Sequence, residues 1–153
     1  MVNFFREAGE LTFLLPLQME KLDPSLMQET TLSAIGLITK VNEILASLDL
    51  KDGLLAFKAI NAKKEAVYPI FETYCRNLAI TILNLQTIFD METFVLGGGI
   101  SAQSILIEEV NRQFDKVHHE IDFIGKIIKR PKIVACHHNG TNLIGAAYFL
   151  KQG

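Results

Sequence analysis

The chain has 153 residues, of which 49% are hydrophobic and 21% charged, and its formal net charge is −2. This length and composition indicate one globular domain with its own core and exclude an intrinsically disordered chain. The charge balance gives no reason to expect nucleic-acid binding by this segment. No apolar run approaches the ~18 residues of a membrane span.

The two cysteines, Cys75 and Cys136, lie far apart and in no metal-ligand spacing. This usage fits a reducing cytoplasm and argues against a cysteine-based zinc site. The first residues lack the pattern of a secretory signal peptide, since Glu7 and Glu10 are acidic. We therefore expect a cytoplasmic protein.

The N-terminal thirty residues predict a strand at 10–15 and a polar loop at 18–25. Glu10 directly follows Gly9 at the edge of that strand. It is either a hydroxyl-binding carboxylate or a solvated turn residue, and the residues alone favour the turn.

Three helices are predicted next. Apolar residues recur at spacings of three and four between Leu32 and Leu48, and Thr30, Thr31 or Ser33 supplies the N-cap. A short helix covers about 54–61. The longest helix runs from about 64 to 89, with Pro69 in its first turns, where proline is tolerated. Its predicted buried stripe is Val67, Phe71, Tyr74, Leu78, Ile82 and Leu85.

The segment METFVLGGGISAQ reads as a strand at 93–96, a glycine turn and a helix that Ser101 caps. Gly97, Gly98 and Gly99 permit positive φ and a close approach of ligand to backbone. The helix N-terminus that follows offers N–H groups to a phosphate. A tight turn between core elements is the alternative, and one glycine-rich turn alone favours it.

After this helix, whose adjacent His118 and His119 are predicted to lie on the surface, a second strand of parallel type covers 132–136. A loop at 137–141 and a final helix at 142–150 follow. The order strand, loop, helix thus occurs twice and predicts a layered α/β fold. The loops 97–101 and 137–141 would then meet at the carboxyl edge of the sheet, which makes them the best candidates for a site.

The spacing Gly97-x-Gly99-x-x-Ala102 also matches the dinucleotide-binding fingerprint. That fingerprint needs an acidic residue at the end of the next strand to hold the ribose. The next strand here ends in Ala135, Cys136 and His137, so we reject a Rossmann dehydrogenase.

Taken together, the motifs resemble the ROK family, which holds bacterial sugar kinases and sugar-responsive repressors. The runs NLQTIFDMETFVLGGGIS and PKIVACHHNGTNLIGAAYFL resemble its C-terminal half. Ala8-Gly9-Glu10 resembles the family's A-G-E-x-G-H motif, and Glu29 with Ser33 resembles its L-E-x-x-x-S segment. The resemblance covers nearly the whole chain.

This resemblance implies one lobe of the actin-like, ribonuclease-H-like ATPase fold, helix-rich with a small sheet. Residues 1–153 would be a single domain, the C-terminal lobe, without the N-terminal lobe. Glu10 and Glu29 are implied as sugar contacts, and Gly97, Gly98 and Gly99 as nucleotide-binding residues. ATP and Mg²⁺ are the cofactors implied for the complete protein, and a sugar and a nucleotide are its ligands.

The chain also departs from the family pattern. Glu10 is followed by Leu11, Thr12 and Phe13, so Phe13 stands where the family pattern has its histidine. The cysteine-rich zinc loop is also absent, so no zinc is expected. The phosphate loop resembling D-x-G-G-T and the catalytic aspartate are also absent, so we predict that the chain alone is inactive and looks like a fragment. The alternatives are the sugar-sensing lobe of a repressor or a non-catalytic dimerisation domain. A lone lobe exposes apolar surface, which predicts a homodimer through the helices near 32–48 and 65–89.

Overall fold

The computed structural model describes residues 32–120 and 122–136. Five helices and two strands lie in these ranges: α1 (Ala34–Ile44), α2 (Gly53–Asn61), α3 (Tyr68–Phe89), β1 (Thr93–Leu96), α4 (Ser104–Glu120), α5 (Asp122–Ile127) and β2 (Lys132–Ala135). The chain divides into two compact units, residues 1–77 and 78–153. The predicted strand at 10–15, the loop at 137–141, the helix at 142–150 and both Glu10 and Glu29 lie outside the described residues.

Short polar side chains start the first two helices. Ser33 is the N-cap of α1, as one of the three predicted candidates, and its hydroxyl accepts from the Gly36 N–H at 3.1 Å. Asp52 caps α2, and its carboxylate accepts from the Leu55 N–H at 3.0 Å. Each cap satisfies one N–H group that the first turn of a helix leaves without a partner.

Aromatic and β-branched side chains form the core of the first unit. Val41 of α1 and Phe71 of α3 are fully buried. The Phe57 ring of α2 meets the Phe71 ring edge to face, with centroids 6.4 Å apart. The Tyr74 hydroxyl donates to the Leu32 carbonyl at 3.1 Å, which ties α3 to the start of α1.

The apolar pattern predicted between Leu32 and Leu48, which includes Ile35, is wrong as a buried stripe at two positions. Leu48 is fully exposed because α1 ends at Ile44 and the chain turns at Ala46, whose φ is 50°. Ile35 is 63% exposed because it lies about 200° around the helix from the buried Leu37.

In the second unit, β1 and β2 form a two-stranded parallel sheet in which Thr93 pairs with Lys132 and Leu96 with Ala135. The predicted parallel pair is therefore confirmed. Ile133 is buried, and the Asn111 side-chain amide of α4 donates to the Ile133 carbonyl at 3.1 Å. Helix α4 thus packs on one face of the sheet.

The prediction that both histidines lie on the surface is wrong for His118. Its side chain is buried, its Nε2 donates to the Ile128 carbonyl at 2.7 Å, and its ring stacks on Phe114 at 5.7 Å. The return of the chain through α5 covers it, since a Cβ on Gly125 would lie 3.2 Å from the His118 carbonyl oxygen. His119 is exposed, as predicted.

Helices of the length and apolarity that a bilayer requires are not found among the described residues.

Candidate functional site

The parallel sheet brings the carboxyl ends of its strands to one edge. The Cys136 N–H donates to the Leu96 carbonyl at 2.8 Å, directly after the last paired residues. Gly97 leaves β1 at this same edge. Ligands of open parallel sheets bind outside the carboxyl ends of the strands, so the glycine turn lies where a ligand is expected.

The three glycines form a turn free of side-chain crowding. Gly97, Gly98 and Gly99 are all exposed, and a Cβ at any of them would meet no heavy atom of the described residues within 4 Å. Gly98 has a φ of +100°, which a side chain tolerates poorly. Glycine at 98 is therefore required by the backbone itself.

The glycines at 97 and 99 have a different explanation. Neither has a positive φ, and neither has a neighbour that a methyl group would strike. Nothing in the described part of the chain therefore requires glycine at these two positions. A backbone without Cβ atoms at an exposed strand end is typical of a place where a ligand comes close to the chain.

Ser101 fixes the shape of this turn. Its backbone N–H and its hydroxyl both donate to the Gly98 carbonyl, at 3.1 Å and 2.7 Å. Ser101 is 4% exposed. The prediction that Ser101 is the N-cap of the following helix is wrong, because its hydroxyl closes this turn and α4 begins only at Ser104.

The turn leaves backbone donors open to an anion. Within residues 32–120 and 122–136, no acceptor receives the N–H groups of Gly98 and Gly99. Helix α4 follows with no acidic residue in its first turn. Free N–H groups and the positive end of a helix dipole both favour a negatively charged group such as a phosphate.

Two side chains that the sequence did not single out hold the strands in place. Gln86 of α3 is buried; its amide donates to the Lys129 carbonyl at 3.1 Å and accepts from the Met91 N–H at 3.0 Å. It thereby links the residues before β1 to those before β2. The sequence feature that could have indicated this role is the position of Gln86 directly after Leu85, beside the apolar stripe of α3.

Asn111 has a similar role at β2 itself. Besides its bond to the Ile133 carbonyl, it accepts from the Arg130 guanidinium at 3.0 Å. Arg130 also pairs with Asp115 at 2.6 Å and lies over the Phe114 ring. These contacts fasten the segment that enters β2 onto α4.

Metal-binding clusters are not found in the described ranges, where no three His, Cys, Asp or Glu side chains are placed to hold an ion.

Comparisons with known proteins define the class of this chain. The model of the ROK family matches residues 28–153. The crystal structure of a ROK family protein from Streptococcus pneumoniae TIGR4 in complex with sucrose matches with a TM-score of 0.72 and 25% identity. The match covers 94% of this chain and 50% of that one, so the chain spans about half the length of that structure. No curated protein matches the chain.

The chain belongs to the ROK family. The family inferred from the sequence motifs is thereby confirmed, and so is a helix-rich α/β fold with a small parallel sheet, similar to that of a solved ROK family protein. The glycine turn and Glu29 lie inside the matched residues, whereas Glu10 lies before them.

Proposed function

We propose that this chain is the C-terminal lobe of an ATP-dependent ROK sugar kinase with the actin-like ATPase fold, and that its glycine turn contacts the phosphates of a nucleotide. The observation that carries the proposal is the pair Gly97 and Gly99, which are glycine without a structural need in the described residues. A ligand that approaches the backbone explains both.

The chemistry of the turn fits a nucleotide phosphate. The N–H groups of Gly98 and Gly99 are donors and carry no formal charge, so they suit an anion that must bind and later leave. ATP would supply the phosphoryl group. Mg²⁺ would enter with the nucleotide, because the described residues offer no carboxylate cluster to hold it.

A sugar is the proposed second ligand. The similar ROK family structure is a complex with sucrose. Glu10 and Glu29 are the proposed sugar contacts, because each carboxylate accepts hydrogen bonds from several hydroxyl groups.

Binding by this chain would not amount to catalysis. Phosphoryl transfer requires a phosphate loop, a metal and a base for the sugar hydroxyl in one arrangement. The sequence carries neither a D-x-G-G-T loop nor the catalytic aspartate of the family pattern. We propose that the chain alone transfers no phosphate, and a measured transfer from ATP to a hexose would overturn this.

A second function is the sugar-sensing lobe of a ROK repressor. It is favoured by the sucrose complex of the similar structure, since sugar binding alone serves a sensor. The two functions differ in the role of the glycine turn, because a sensor needs no nucleotide.

Titration calorimetry of the full chain with Mg·ADP and, separately, with glucose and sucrose tests these proposals. We expect heat with Mg·ADP, and at least tenfold weaker binding by the double variant Gly97→Ala, Gly99→Ala with an unchanged circular dichroism spectrum. Sugar binding without nucleotide binding would favour the sensor. Equal nucleotide binding by the double variant would refute the assigned turn.

The sugar contacts need their own pair of variants. Glu29→Gln keeps the size of the side chain and removes its charge, so we expect it to weaken sugar binding. Glu43→Gln, an exposed position on α1, is the matched control and should bind like the parent. If Glu29→Gln also binds like the parent, its assignment fails.

A further inference from the structure

A cleft lies between α1 and α3, within the first unit of the chain. Its volume is about 240 Å³. Its walls include Gly36, Leu37 and Lys40 of α1 and Ile70, Thr73 and Tyr74 of α3. This volume corresponds to about eight water molecules at liquid density, so the space suits a metabolite with one ring or a short carbon chain. None of these residues is among the proposed nucleotide or sugar contacts.

Gly36 leaves room in the cleft on the side of α1. The Tyr74 hydroxyl donates to the Leu32 carbonyl at 3.1 Å, which joins α3 to the start of α1 beside the cleft. Gly36 lines the space with its backbone alone. Glycine lowers the stability of a helix interior, so the helix itself gains nothing from glycine at this position. A ligand in the cleft would gain close access to the backbone.

The charge of the lining favours an anion. Among the described residues that line the cleft, Lys40 is the one cation and none is acidic. No carboxylate of the described residues forms an ion pair with Lys40. Tyr74 stays neutral at pH 7, because burial raises its pKa to about 12. A guest with a single negative charge therefore complements the cleft.

Hydroxyl groups and apolar side chains complete the lining. The Ser33 hydroxyl, which also lines the cleft, accepts from the Gly36 N–H at 3.1 Å and donates to no acceptor among the described residues. The Thr73 hydroxyl donates to the Pro69 carbonyl at 2.9 Å, and its oxygen can still accept. The leucine and the isoleucine of the lining add apolar contact. The complementary guest therefore has an apolar body and a hydroxyl group besides its negative charge.

We propose that the cleft between α1 and α3 binds a small hydroxylated monocarboxylic acid, with its carboxylate at Lys40 and its apolar part against Leu37 and Ile70. A carboxylate is favoured over a phosphate because the lysine offers one positive charge, whereas a phosphate monoester carries about −1.5 to −2 at pH 7. This ligand goes beyond the proposed function, because it is neither the nucleotide nor the sugar. Its site is formed within the first unit, whereas the glycine turn belongs to the second.

Titration of the ¹⁵N-labelled full chain with 4-hydroxybenzoate at pH 7 tests the proposal. This probe carries an ionised carboxylate, an apolar ring and a neutral hydroxyl group. We expect a dissociation constant on the order of 1 mM, with the largest amide shifts at residues 36–40 and 70–77.

A matched pair of lysine variants tests the charge. Lys40→Met keeps the length of the side chain and removes its charge, so it should weaken binding by about fivefold or more. Lys51→Met changes an exposed lysine that does not line the cleft, and it should bind like the parent. Both lysines are exposed, so neither variant should change the circular dichroism spectrum.

Several results would overturn the proposal. Absence of amide shifts in the cleft at millimolar probe, or equal binding by Lys40→Met and the parent, would remove the site. Equally strong binding of 4-hydroxybenzyl alcohol would show that the cleft does not recognise the charge, and tighter binding of phenyl phosphate would show that it prefers a phosphate. None of these measurements involves Mg·ADP or a sugar, so this proposal and the proposed function can fail independently.

Discussion

Alanine substitution of the three glycines separates the structural need for glycine from the functional one. Gly98 has a φ of +100°, and a Cβ there would meet no heavy atom within 4 Å in the part of the chain that the structure describes. The cost of Gly98→Ala is therefore backbone strain alone, about 1–3 kcal/mol of the free energy of unfolding. Gly97→Ala and Gly99→Ala carry no such strain. They should leave stability unchanged or raise it by about 0.4–1 kcal/mol, because alanine restricts the unfolded chain.

Urea unfolding followed by far-ultraviolet circular dichroism measures these three free energies under identical conditions. A Gly98→Ala variant as stable as the parent would refute the left-handed turn. Loss of stability in Gly97→Ala or Gly99→Ala to the same extent as in Gly98→Ala would show a structural need for these glycines. In that case the argument for ligand approach would fail.

Three further predictions concern buried side chains. Burial, with a smaller contribution from Cys75, raises the pKa of Tyr74 from 10.0, its value in the unfolded chain, to about 12. On the order of 2 kcal/mol of stability is therefore present below pH 10 and should be lost between pH 10 and 12. The variant Tyr74→Phe should not show this loss in pH-dependent urea unfolding. Gln86→Leu removes the hydrogen-bond partner of the Met91 N–H and of the Lys129 carbonyl, so it should lower the free energy of unfolding by about 2–3 kcal/mol in the same assay. An unchanged free energy of unfolding would show that these hydrogen bonds contribute nothing to stability. His118→Ala should cost about 2 kcal/mol or more and His119→Ala within about 0.5 kcal/mol, so equal thermal midpoints for the two variants would contradict the burial of His118.

Local patterns predicted most of the elements correctly. Ser33 was among the predicted caps, and the short helix near 54–61, the long helix and the parallel strand pair all lie close to their predicted bounds. These features depend on spacing, capping and β-branched runs, which act over a few residues. The glycine turn was recognised for the same reason.

The wrong or missing predictions concern residues whose role depends on contacts that the local sequence pattern does not reveal. Ser101 could serve as a helix cap or close the preceding turn, and only the position of the Gly98 carbonyl settles the choice. His118 is buried because α5 returns over it, which the periodicity of α4 alone does not reveal. The network of Gln86 joins residues 43 apart in the chain, and no local pattern predicts such a pair.

The glycine turn as a phosphate site is the central claim, and nuclear magnetic resonance tests it most directly. Amide shifts of the ¹⁵N-labelled full chain would be recorded during titration with Mg·ADP. We predict that the largest changes fall on Gly98 and Gly99, whose N–H groups have no acceptor among the described residues, and on the first residues of α4. Changes that spare these amides while others move, or no change at millimolar nucleotide, would contradict the account.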